Sequence, residues 1–298
     1  VIRPPYLQAG DRVAVLSTAR YISEEDMQGA YRLLRSWGLE IHLPPGLYAR
    51  EHQLAGNAAH RRTLLQNALN DPQIRAIFCA RGGYGTVQLL DDLRWEGFAE
   101  APKWVVGFSD VTALHSEINR RGFMSIHGPL LSLFDRTEEN ALELLRQALF
   151  EGAAELKAAP HALNRRGSAQ GRLCGGNLSV LYSLCGSPSA LNTAGQVLFL
   201  EDLDEYLYHL DRMFFNLRRN AYFQNLAGAI IGTLTDMHDN QVPFGESAEA
   251  IAARHLGELG IPVAFAWPAG HCANNQPLVL GAEVELRVDE SGARILYP

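Results

Sequence analysis

Cysteine is scarce in this 298-residue chain. The four that occur, Cys79, Cys174, Cys185 and Cys272, show no C-x-x-C spacing, which excludes a zinc knuckle and a dense disulfide framework. Their scatter points to a reducing compartment such as the cytoplasm. Long apolar runs are also missing: nothing approaches the roughly 18 consecutive residues that span a bilayer, and Val-Ile-Arg-Pro-Pro at the start lacks the core of a secretory signal. A soluble chain is expected, with no membrane partner; it begins at Val1 rather than Met, which leaves a preceding segment open. Basic residues are outnumbered, 26 to 33, for a formal charge of -7. A large phosphate-binding footprint needs clustered Lys and Arg, so no nucleic-acid partner is expected. The absence of internal repeats and low-complexity segments removes solenoids and propellers.

What remains is an ordinary globular composition, 47% hydrophobic and 20% charged, long enough for two domains or one large α/β unit. The first half alternates short apolar runs with amphipathic segments. Arg12 to Leu16, Ile74 to Ala80 and Lys103 to Phe108 read as strands, and helical patterns follow at Thr86 to Leu93 and Asp110 to Arg121. Ser23 and Asp26 read as a capping box. This is βαβ logic and predicts a mostly parallel sheet, with ligands bound outside the carboxyl ends of its strands. Residues 1–155 are therefore read as an N-terminal α/β domain, 156–172 as a linker and 173–298 as a C-terminal β/α domain. In the latter, strands are expected at Gln196 to Leu200, Leu226 to Ile231, Ile261 to Trp267, Glu283 to Val288 and Ala293 to Tyr297, with a helix at Tyr206 to Arg218.

Four local features carry chemistry. In Val105-Val106-Gly107-Phe108-Ser109-Asp110, an apolar strand delivers a serine to a helix start, where unpaired N–H groups favour an oxyanion. The same serine serves equally as an ordinary N-cap, and Val111 breaks the G-x-S-x-G pattern of the hydrolase elbow. Ala80-Arg81-Gly82-Gly83-Tyr84-Gly85 is a turn whose glycines allow positive φ and close backbone approach to a ligand, or simply a structural turn with Arg81 in a surface ion pair. Glu201 closes the QVLFL run and is followed by Asp202, Asp204 and Glu205; a histidine-orienting acid, a solvated acidic loop and a metal site using His209 all fit. His271 lies in a glycine-bearing turn after a strand, a setting that His127 shares. Cys272 beside it reads as a thiol filling space. Ser109, Glu201 and His271 each end an apolar run, in an order that serine hydrolases use.

With ARGGYG (80–85), GFSDVTAL (107–114), HGP (127–129), GGNL (175–178), FLEDLDEYLYHLDR (199–212) and GHCANNQPLVLG (270–281), the chain resembles the murein tetrapeptide LD-carboxypeptidase family of serine peptidases, which includes the microcin-immunity peptidases. The resemblance implies a flavodoxin-like or amidotransferase-like parallel-sheet N-terminal domain joined to a smaller swivelling C-terminal domain. It implies a triad of Ser109, Glu201 and His271, and an oxyanion hole from the N–H groups of Asp110 and of the glycine turn at Gly83. It also implies removal of a terminal D-alanine from cell-wall tetrapeptides, with no cofactor and no metal. Arg81 and Tyr84 are candidates for binding substrate, Arg81 through the terminal carboxylate. A homodimer is expected from the family, although the apolar residues of Tyr206 to Leu217 fit core packing better than an interface. The alternatives are a microcin-immunity-type peptidase cleaving aminoacyl-nucleotide conjugates, disfavoured by the lack of tryptophan between Trp104 and Trp267, a non-catalytic peptide-binding module, and a metallohydrolase.

Overall fold

A computed structural model of the chain describes residues 1–153 and 155–298. The central apolar runs of the N-terminal half are strands buried on both faces, as parallel strands between helical layers must be. β1 (Arg12–Leu16), β2 (Glu40–His42), β3 (Ile74–Cys79), β4 (Trp104–Gly107) and β5 (Ser125–His127) run parallel in the order β2-β1-β3-β4-β5. This is the flavodoxin-like order, with its crevice between β1 and β3. The helices α1 (Gln28–Ser36), α2 (Ala58–Asn70), α3 (Glu96–Glu100), α4 (Thr112–Arg120) and α5 (Glu139–Phe150) cover its faces. Alternation along the strands sends Val13, Val15, Phe78 and Val106 to α1 and α5, and Ala14, Leu16, Ile77 and Val105 to the other three. The Ser23–Asp26 capping box forms, each N–H bonding the other side chain at 3.2 Å, and leads through a 3-10 turn into α1.

The C-terminal half contains β6 (Leu156–Ala158), β7 (Gly167–Asn177), α6 (Leu178–Leu184), β8 (Val197–Leu203), α7 (Leu207–Arg219), β9 (Gly228–Thr235), α8 (Ala248–Gly257), β10 (Val263–Ala264), β11 (Leu278–Leu280), β12 (Glu283–Asp289) and β13 (Gly292–Leu296). All these strands but β11 form a second sheet, ordered β10-β9-β8-β7-β12-β13-β6, parallel from β10 to β7 and antiparallel beyond. β11 crosses back and pairs antiparallel with β5, so the chain's last third closes the first sheet. The α7 stripe Leu210, Met213, Phe214 and Leu217 is buried in the second core, which is the packing role expected of it.

The fold departs from the sequence reading in several places. Residues 156–172, expected as a linker, carry β6 and the first half of β7. From Gly167 to Arg172 the strand is largely solvent-facing and polar, so it shows no apolar period, and its partner β12 lies more than 100 residues away. The run Ile261 to Trp267 keeps only two strand residues, because Ala266 turns to a φ of 52°. Thr86 to Asp92 winds as a 3-10 helix, and the short strands β5 and β11 were not anticipated. No helix among the described residues is long and apolar enough to cross a membrane.

Gly175 marks the tightest approach in the second sheet: φ is 128°, and a Cβ there would stand 1.9 Å from the carbonyl oxygen of Phe199 on β8. Gly175→Ala is expected to destabilise the protein by at least about 3 kcal/mol, measured as the shift of a denaturant midpoint, because both backbone conformation and space forbid the methyl.

Candidate active site

The turns after β1, β3 and β4 are tied to one another, and the histidine that pairs with Glu201 on β8 packs against the last of them. At the end of β4, Ser109 takes a φ of 61°, a left-handed conformation that costs a non-glycine residue roughly 1–3 kcal/mol. Buried Asp110 anchors this turn, its carboxylate accepting the N–H of Thr86 at 2.8 Å and so tying it to the glycine turn after β3. Arg61, itself buried, braces that glycine turn by donating to the carbonyls of Gly85 (2.8 Å) and Thr18 (2.6 Å). The two turns thus pack closely: a Cβ on Gly82 would lie 3.3 Å from Ser109 Oγ. The N–H groups of Asp110 and Gly83 donate to no acceptor among the described residues.

Glu201 lies inside β8, not after it, and is fully buried. The pairing of β8 with β9 shifts register beside it, and Gly232 in the bulge gives it room: a Cβ there would be 3.1 Å from Glu201 Cβ. Gly270, at φ 114°, leaves space on the other side, where a Cβ would meet Glu201 Oε2 at 2.7 Å. Into this slot comes His271, whose Nδ1 bonds Glu201 Oε2 at 2.7 Å. Asn275 Oδ1 accepts the Gly270 N–H at 2.8 Å and Thr235 Oγ1 donates to the His271 carbonyl at 3.0 Å, fixing the turn. The imidazole packs on Phe108, the residue before Ser109, with ring centroids 4.8 Å apart. The structure therefore brings Glu201 and His271 into contact and sets them beside the serine turn; Ser109 Oγ and His271 are not hydrogen-bonded to each other.

The remaining candidates are placed differently. Arg81 donates to the carbonyl of Tyr21 at 3.1 Å, and Gly83 faces the Arg20 side chain. Tyr84 is half exposed and near Gln88. His209 pairs with Glu205, and no group of three or more potential metal-ligating His, Cys, Asp or Glu side chains occurs among the described residues. Cys272 is only partly buried, with its thiol pushed up to about 11 by burial and then by Glu201.

Two family models match, the LD-carboxypeptidase N-terminal domain over residues 13–128 and the LD-carboxypeptidase C-terminal domain over residues 170–286. The chain belongs to the LD-carboxypeptidase family. A murein tetrapeptide carboxypeptidase of Pseudomonas aeruginosa is 32% identical over 89% of each chain. The crystal structure of a muramoyltetrapeptide carboxypeptidase from Oxalobacter formigenes superposes with a TM-score of 0.87 at 25% identity, covering 96% of this chain and 99% of that one. The microcin C7 self immunity protein MccF, in complex with aspartyl sulfamoyl adenosine, shares the fold at a TM-score of 0.85 and 19% identity, covering 98% and 97%.

In this LD-carboxypeptidase the two halves of the site are joined by a seam on α4 that sequence reasoning missed. Thr112 Oγ1 accepts the Asn177 N–H at 3.0 Å, and Gly176, at φ 142°, lets the chains meet there. Asn177 Nδ2 donates to Asp202 Oδ1 at 2.9 Å, and Asp202 also takes the Ser179 N–H at 2.9 Å. Burial, reinforced by Glu201 next to it, pushes the Asp202 carboxyl up to about 7. The signal was present in GFSDVTAL and GGNL, but nothing in one dimension says that Thr112 and Asn177 touch.

Burial pulls the His271 imidazole toward the neutral form; the hydrogen bond and charge of Glu201, with the charge of Asp202 behind it, outweigh this and hold its pKa above the usual 6.5. Glu201→Gln removes that charge but leaves the burial, so the His271 pKa is expected to fall, as followed by NMR titration of the ring. Thr112→Val leaves the Asn177 N–H buried without an acceptor; a loss of about 1–3 kcal/mol in equilibrium unfolding is expected, recovered by Thr112→Ser.

Proposed function

We propose that this LD-carboxypeptidase removes the C-terminal D-alanine from murein tetrapeptides at an L,D bond, by acyl transfer to Ser109. The observation that carries the reading is the Glu201–His271 hydrogen bond, made at a fully buried carboxylate and set against the turn that presents Ser109. With Nδ1 committed to Glu201, Nε2 is the ring nitrogen left to take the serine proton and to return it to the departing amine. Glu201 holds the tautomer and stabilises the imidazolium. The N–H groups of Asp110 and Gly83, without protein acceptors, stabilise the tetrahedral oxyanion, at roughly 10²- to 10³-fold in rate for such a donor. Water then attacks the acyl-enzyme with His271 again as base. A Ser109–His271 hydrogen bond is expected to form as substrate enters, since catalytic hydrogen bonds are commonly long or poorly aligned before the Michaelis complex forms.

The name of the Pseudomonas relative supports the muropeptide as substrate. The reading includes a cytoplasmic site of action in peptidoglycan recycling, supported by four free cysteines, and a homodimer, supported by the family resemblance. No observation favours the nucleotide-conjugate reading, for which the likeness to MccF supplies the fold alone.

Mass spectrometry of a purified muropeptide tetrapeptide incubated with the wild type should show loss of one D-alanine. Ser109→Ala should lower that rate by about 10⁴-fold or more. The acid limb of wild-type kcat/KM should lie above pH 6.5, because the base acts only when neutral and its pKa is raised. D-alanine release that survives intact in Ser109→Ala would sink the serine mechanism.

A further inference from the structure

A cavity of about 320 Å³ opens beside His271, lined by Phe108, Pro129, Leu133 and Arg136 among others. Arg136 ends the 3-10 turn Leu131–Arg136, is exposed, and makes no ion pair, hydrogen bond or aromatic stacking contact with any described residue. No carboxylate lines the cavity, so Arg136 is its one permanent charge. The rest of the lining is mostly apolar, its other polar side chains being His271, Cys272, Asn275 and Thr137, whose Oγ1 is turned back to the Leu133 carbonyl at 2.9 Å.

The chemistry says what belongs there. Because Nδ1 of His271 is held by Glu201, the proton for the departing nitrogen comes from Nε2, and the leaving amino acid must lie against the imidazole. Its carboxylate is then one carbon beyond that nitrogen. A small, mostly apolar cavity on the histidine, lined also by an unpaired guanidinium, matches an amino acid with a methyl side chain and a free carboxylate. The other cations around the crevice are placed less well: Arg81 is bound to the Tyr21 carbonyl, and Arg20 lies over Gly83.

We propose that this cavity seats the departing C-terminal residue and that Arg136 reads its free α-carboxylate, making the enzyme an exopeptidase. The inference rests on the peptidase reading above and replaces the sequence-based assignment of that role to Arg81.

The test pairs enzyme variants with two peptides, a tetrapeptide ending in D-alanine and the same peptide ending in D-alaninamide. The wild type is expected to favour the acid in kcat/KM by about 30-fold or more, the scale of a hydrogen bond to a charged group. Arg136→Ala should lose about that factor on the acid and remain within threefold of wild type on the amide, which also shows that the variant is folded. Arg136→Lys should recover part of the loss. A preference that survives in Arg136→Ala, one that disappears instead in Arg20→Ala or Arg81→Ala, or an equal loss on both peptides overturns the assignment. A wild type that releases nothing from either peptide overturns the parent reading, and this inference with it.

Discussion

A carboxylate with no solvent exposure is the group that the C-terminal half of this protein is arranged around. Removing an ionised Glu from water costs several kcal/mol unless a partner answers it, and Glu201 has one, the imidazole of His271. The rest follows from making that contact possible. The bulge opposite Glu201, Gly232 within it, and Gly270 at a φ closed to other residues clear the slot. Asn275 and Thr235 hold the turn that fills it. Asp202, one residue on, adds a second buried carboxyl, and the two raise the imidazole's basicity against the pull of burial.

Against this rigid acid–histidine pair stands a serine under local strain. Ser109 sits at positive φ because Asp110 is drawn down to the Thr86 N–H and the chain must leave β4 and enter α4 within a few residues. α4 is then the common wall of the two halves: Thr112 meets Asn177, Ser116 donates to the Ser189 carbonyl, and Glu117 accepts from the Ser189 hydroxyl. The helix that follows the serine turn thereby also positions the strand and loop that carry the acid. A split site gains registration in this way, and a small shift along α4 would change the serine–histidine distance directly.

Much of the N-terminal half is legible in the sequence. Predominantly apolar runs such as RVAVL and IRAIFC announce buried parallel strands, and the residues that follow them announce the crevice. Ser109, Glu201 and His271 stood out for the same reason, each ending such a run. β7 was hidden because its first half faces solvent and its partners are remote, and β11 because three residues carry no period. Arg81 drew attention by lying among glycines, whereas Arg136, in a polar stretch without pattern, did not; only the fold shows that the first is bonded to Tyr21 and the second faces a cavity beside His271.

The sequence by itself determined the strand–turn grammar of the first sheet, the turns able to carry chemistry and the family, because these rest on local periodicity, glycine conformation and motif order. Tertiary structure alone decided that β11 returns to the first sheet, that Thr112 and Asn177 seal the seam, and that Glu201 and Asp202 are dry while Asp204 and Glu205 are not. Those facts depend on contacts between residues about 25 to 150 positions apart, and no local pattern encodes which remote side chain will exclude water from which carboxylate.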